Sequence, residues 1–174
     1  MATEDNKALV RREFEAFNQK NWAAFYELVA PDIVLHDAST TIQGLEAYKQ
    51  FVSMYNAAFP DLHFLVEDLI AEGDKVVTRY MAQGTQQGAL MGIAPTGKQV
   101  SVTNILITRI ANDKAVEQWL NFDALGMLQQ LGVVPAPGQV VSCPGNWERK
   151  NGDLHRLQSG WSHSPIPTGK KYFP

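Results

Sequence analysis

Leu9, Val10, Phe14 and Phe17 fall on one face of a helix, and Thr3, Glu4 and Asp5 supply a cap and an acidic first turn. The run Asn18 to Asn21 breaks that pattern. Asn21 then caps a second, short helix carrying Trp22, Phe25, Tyr26, Leu28 and Val29, and Pro31 closes it. Ile33, Val34 and Leu35 centre a short strand over 32–37, and Ala38 to Gln43 reads as a polar loop. From Leu45 the apolar positions Tyr48, Phe51, Val52, Tyr55 and Phe59 return to helical spacing, with Pro60 as the stop.

The pattern then changes period. Leu62 to Ala71 and Lys75 to Gly84 are β-branched and aromatic runs joined by Glu72-Gly73-Asp74, which predicts a hairpin. A glycine-bearing loop follows over 86–97. Val100 to Ile110 and Ala115 to Phe122 form a second hairpin about Asn112-Asp113. Asp123 then opens a last helix, Ala124 to Leu131, that ends at Gly132. Helices preceding a meander of strands predict an α+β domain over 1–135: a curved antiparallel sheet against three to four helices, enclosing a cone-shaped apolar pocket. Residues 136–174 lose the periodicity and gain Pro137, Pro144, Pro165, Pro167 and Pro174. This segment reads as an irregular extension. Its Trp147, Trp161, Tyr172 and Phe173 call for packing on the body or on a partner subunit.

With 174 residues, a net charge of −3 and an apolar fraction of 45%, the chain has no positive field for nucleic acid or an anionic membrane. No run approaches the length of a membrane helix. The N-terminus MATEDNK lacks the secretory pattern, and the lone Cys143 can form no intrachain disulfide. These features read as a cytoplasmic protein. Gly92 to Lys98 matches the outline of a phosphate-binding loop, but Gln99 follows the lysine and a strand follows the loop, so no nucleotide site is assigned. The four histidines and one cysteine show no metal-ligand spacing.

The segments Phe59-Pro60-Asp61-Leu62, Val66-Glu67-Asp68, Glu72 to Val77, Gly92 to Gly97 and Asp123 to Gly132 resemble the SnoaL-like polyketide cyclases, also called ester cyclases. These belong to the nuclear transport factor two-like superfamily. The resemblance spans about 6–135. It implies a cone-shaped α+β fold and ring closure by intramolecular aldol condensation without metal or organic cofactor. It also implies an aspartate near the end of the last strand as acid/base, here Asp123, and homodimers or homotetramers joined through the outer sheet face. Three positions depart from the family pattern. Gln86 and Gln118 stand where histidine is common, and Leu106 where His or Asp is often placed.

Strand period puts Glu117, Trp119, Asn121 and Asp123 on one face. Were that face inward, desolvation would raise the Asp123 carboxyl toward neutrality, where it can exchange protons with a carbon acid. The other reading is that Asp123 caps the following helix. His36, at the junction of strand and loop, is a candidate assistant base, and its neighbour Asp37 faces the other way. Arg79 and Tyr80 face opposite sides, so one looks into the cone; an inward Arg79 would hold an enolate. Trp119, Asn121, Asn104, Tyr55, Phe17 and Met91 complete the expected ligand contacts, with Met91 in an apolar lid beside Leu90 and Ile93. Three functions follow from one pocket: a cofactor-free lyase or isomerase acting on an apolar carbonyl compound, a non-catalytic binder of an apolar metabolite, or an epoxide hydrolase. The last needs two carboxylates flanking an arginine, a set that the residues around Arg79 make hard to assemble.

Overall fold

Helix α1 (Ala2–Asn18) and the short α2 (Trp22–Glu27) lead into strand β1 (Val29–Asp37). They are followed by β2 (Thr40–Gln43), α3 (Leu45–Ala58), the hairpins β3 (His63–Glu72)–β4 (Lys75–Thr85) and β5 (Gln99–Ala111)–β6 (Lys114–Phe122), and α4 (Ala124–Leu131). The computed structural model describes residues 2–37, 40–135 and 138, together with the backbone of 147–150 and 153–156. The chain divides into two units, Met1–Gln139 and Val140–Pro174. In the second, β7 (Trp147–Lys150) and β8 (Asp153–Arg156) pair as an antiparallel ribbon. The contacts expected of Trp161, Tyr172, Phe173 and the side chain of Trp147 lie outside the described residues, as do Cys143, His155 and His163 as side chains.

The six strands of the first unit form one sheet in the order β2-β1-β6-β5-β4-β3. It is mixed rather than wholly antiparallel, because β1 runs parallel to β6. Pro31 does not stop at the end of α2; it lies inside β1, where the register against β6 shifts between Val29 and Val34. A missing N–H is tolerated at such an irregularity. The stretch read as a polar loop holds β2, which pairs with β1 from Asp37↔Thr40 to Val34↔Gln43. Three register shifts, in β1, β3 and β6, locate the bulges that curve the sheet.

Several local signals act as the sequence foretells. The Asn21 side chain accepts from Ala24 N at 3.3 Å. Gly73, at φ 57°, turns β3 into β4, and Asn112 and Asp113, at φ 51° and 56°, turn β5 into β6. Asn18 completes the free edge of β3: its Nδ2 donates to Phe64 O and its Oδ1 accepts from Phe64 N, both at 2.8 Å. Side chains from the inner sheet face and from α1, α2, α3 and α4 build two buried clusters. One is centred on Phe17, Phe25, Tyr48 and Phe59, the other on Val10, Phe14, Tyr80 and Leu106.

Candidate active site

Alternation decides which side chains meet inside. On β4 the even positions Val76, Thr78 and Tyr80 are buried, and on β5 the even positions Val100 through Ile110. On β6 Ala115 is buried, and a regular strand would carry Glu117, Trp119 and Asn121 inward after it. The register does not continue. Ile110 pairs with Ala115 but Arg109 pairs with Glu117, so Val116 is an extra residue. That bulge flips the phase, and Gln118, Leu120 and Phe122 face the interior.

The interior holds a cavity of about 140 Å³ between the inner sheet face and the helices. Phe14, Phe17, Tyr55, Tyr80, Val102 and Leu106 are among the side chains that line it. Its wall is overwhelmingly apolar, and its volume is near that of cavities that hold one benzene ring.

Into this wall α1 delivers Glu13, 3% exposed, on the same helical face as Leu9, Val10, Phe14 and Phe17. Its Oε1 accepts from Gln118 Nε2 at 2.9 Å, while its Oε2 is buried without a hydrogen-bond partner. Gln118 is itself pinned: the Tyr48 hydroxyl donates to its Oε1 at 3.0 Å, and Thr108 Oγ1 lies 3.5 Å from its Nε2. Removal from water pushes the Glu13 carboxyl up from 4.5 to about 7, the Gln118 hydrogen bond pulling the other way. Burial likewise raises the Tyr48 and Tyr80 phenols, and the Glu13 charge adds to both. Burial also lifts Tyr55 to about 12, with a smaller contribution from Asp37, so Tyr55 keeps its proton. The Tyr55 hydroxyl is a second buried polar atom of this wall without a partner.

The structure places Asn104, Tyr55 and Phe17 in the cavity wall, with Asn104 Nδ2 donating to Val102 O at 2.7 Å. The other candidates lie outside it. Asp123 is exposed; its Oδ1 accepts from Gly126 N at 2.8 Å and caps α4. A Cβ on Gly126 would stand 2.1 Å from Asp123 Oδ2, so a side chain there would push the capping carboxylate aside. Of the pair Arg79 and Tyr80, Tyr80 faces inward. Arg79 lies on the outer face between Glu67 and Asp68, 2.6 Å from the latter. An arginine flanked by two carboxylates therefore does exist, outside the cavity. His36 and Trp119 also sit on the outer face, their rings stacked at 5.4 Å. His36 Nε2 meets Glu117 Oε1 at 2.9 Å and Arg109 Nε donates to Glu117 Oε2 at 3.0 Å. These hydrogen bonds, His36 first, hold the Glu117 carboxyl below its ordinary range. Asn121 is exposed, and Met91, at φ 47°, is 65% exposed on its loop while the neighbouring Leu90 is fully buried.

The departures from the family pattern have structural roles. Gln86 is buried, and its Oε1 accepts from Thr96 N and Oγ1 at 3.2 and 2.7 Å, tying the two ends of the 86–97 loop. Gly88 presses that loop against α3; a Cβ there would meet Ala57 O at 2.2 Å. Leu106 lines the cavity. Among the described residues no group of His, Cys, Asp and Glu gathers as a metal site, and no helix is long and apolar enough to cross a membrane.

The sequence matches the family model of SnoaL-like polyketide cyclases over residues 7–131. The chain belongs to that family. A search of curated proteins returned no match. Among solved structures, IdmH from Streptomyces antibioticus, described as a candidate polyketide cyclase, is 32% identical with a TM-score of 0.63, covering 73% of this chain and 98% of its own. A SnoaL-like polyketide cyclase candidate from Jannaschia sp. CCS1 is 25% identical with a TM-score of 0.71, covering 76% and 95%. AclR from Streptomyces galilaeus, described as a candidate hydroxylase, is 29% identical with a TM-score of 0.70, covering 77% and 85%. This SnoaL-like chain thus shares its fold with proteins described by different chemistry, and its function rests on its own side chains.

Asp123→Ala is expected to cost about 1 kcal/mol through loss of the α4 cap, whereas Asp123→Asn keeps the cap. Urea unfolding of the two variants checks this, and equal losses would contradict the capping role.

Proposed function

We propose that this SnoaL-like protein binds a small apolar carbonyl compound in its cavity and rearranges it by cofactor-free acid/base chemistry of the aldol-cyclisation or isomerisation type. The observation that carries the reading is a buried carboxyl group in the wall of a largely apolar cavity, a setting in which proton exchange with a carbon acid becomes feasible near neutral pH. Family membership supports the reaction class. The volume of about 140 Å³ favours a ligand of about one ring over a fused polycycle. The direct test is incubation with one-ring ketones and linear keto-aldehydes, followed by chromatography and mass spectrometry. A product isomeric with its substrate supports catalysis.

A second reading is a non-catalytic binder. Gln86, Leu106 and Gln118 favour it, since none of them titrates and each stands where the family resemblance leads one to expect a side chain that does. It expects every bound compound to be recovered unchanged.

A further inference from the structure

Two buried polar atoms of the cavity wall have no hydrogen-bond partner, Glu13 Oε2 and the Tyr55 hydroxyl. Buried polar groups are nearly always partnered, so each such atom calls for an explanation. One is a proton carrier and the other, holding its proton, is a donor. An α-proton and a carbonyl oxygen on one ligand are the complementary pair.

We propose, resting on the reading above, that Glu13 and not Asp123 is the acid/base residue of this site, and that Tyr55 receives the carbonyl oxygen of a neutral one-ring ligand. The orientation of Glu13 is set before any ligand arrives. Oε1 is committed to the Gln118 amide, whose own oxygen is committed to Tyr48. The proton therefore comes and goes at Oε2, the free atom. In the ionised form, Oε2 removes a proton from the carbon next to the carbonyl. The C–H electron pair becomes the C=C bond of an enolate, and its negative oxygen accepts from Tyr55 O–H. For ring closure, the enolate carbon bonds to a second carbonyl carbon of the same molecule, whose oxygen takes the proton back from Glu13. Nothing is oxidised or lost, and the product is an isomer of the substrate.

The groups facing Glu13 are Gln118 from β6, Tyr80 from β4 and Tyr48 from α3, with Thr108 of β5 against the Gln118 amide. Proton removal requires the ionised carboxylate, so its rate rises with pH and levels off above about 7.

Cyclohexanone in D2O is a probe of matching size, with α-deuteration followed by mass spectrometry. The wild-type protein is expected to exchange its α-protons faster than buffer alone. Glu13→Gln keeps the volume and the Gln118 contact, and is expected to lose about 100-fold or more of the enzymatic rate. Tyr55→Phe is expected to lose about 10-fold or more through the missing oxyanion donor. Asp123→Asn is expected to exchange at the wild-type rate. Wild-type exchange in Glu13→Gln, or its loss in Asp123→Asn, overturns the assignment of Glu13 while leaving a catalytic cavity in place. Cyclohexanone bound in the wild type but never exchanged overturns the catalytic roles and leaves the binder. Failure to bind at all removes the proposed function itself. Independently of any variant, the 13C carboxyl resonance of Glu13 in the wild-type protein is expected to shift when cyclohexanone is added, and an unmoved signal in a protein shown to bind it counts against the contact.

Discussion

Glu13→Gln is expected to raise the melting temperature at pH 8 and to raise it only about a quarter as much at pH 5. The sign follows from linkage. The carboxyl titrates near 4.5 when unfolded and at about 7 when folded. Between those values the folded state holds a proton that the unfolded state has lost, so stability falls as pH rises. The penalty is absent below about 4.5 and complete above about 7, and the gap corresponds to roughly 3 kcal/mol. Gln cannot ionise and so escapes it. For a chain of this size that is a gain of about 6–12 °C. Calorimetry of both proteins from pH 5 to 8 reads it, and a difference that does not grow with pH would place Glu13 in contact with water. A side chain whose removal both stabilises the fold and abolishes exchange would be one retained for activity.

The second large effect concerns Gln118. Replacing it with Leu strands Glu13 Oε1 and the Tyr48 hydroxyl, which it now partners. Leaving two buried polar groups unpaired is expected to cost about 2–4 kcal/mol. The Glu13 carboxyl should rise further, because the Gln118 hydrogen bond is what holds it down. Adding Glu13→Leu removes the stranded carboxyl and should recover part of the loss, since removing both partners is gentler than removing one. Urea unfolding of both singles and the double gives the coupling directly. Additive losses would mean that the two side chains do not depend on each other.

Most elements of the first unit were legible because their signals are local. The helical spacing of Leu9 to Phe17, the Asn21 cap, the Gly73 turn and the Asn112-Asp113 turn need no distant partner to act. What escaped depends on distant pairing. Strand β2 carries only half-buried or exposed residues, so no apolar alternation marks it; pairing with β1 creates it. The parallel join of β1 and β6 links segments far apart in the chain. The site followed the same rule. One extra residue, Val116, turns Trp119 and Asn121 outward and puts Gln118 inside, and a bulge leaves no reliable mark in the sequence. Exposure of Asp123 matches its capping role, which its place before Ala124 already suggested. Glu13 did leave a signal: it is a charge in the middle of the apolar stripe of α1. Such a residue either breaks the helix face or has a function inside the protein.

Gln118 fixes one oxygen of Glu13 and leaves the other free, in a wall that includes Phe14, Phe17, Tyr55 and Tyr80. The most direct test is a crystal structure of the wild-type protein with cyclohexanone. The account expects the ring inside the sheet-and-helix cavity, its carbonyl oxygen within hydrogen-bond distance of Tyr55 and an α-carbon against Glu13 Oε2. A ring bound instead beside Asp123, or a ring in the cavity that touches neither group, would contradict it.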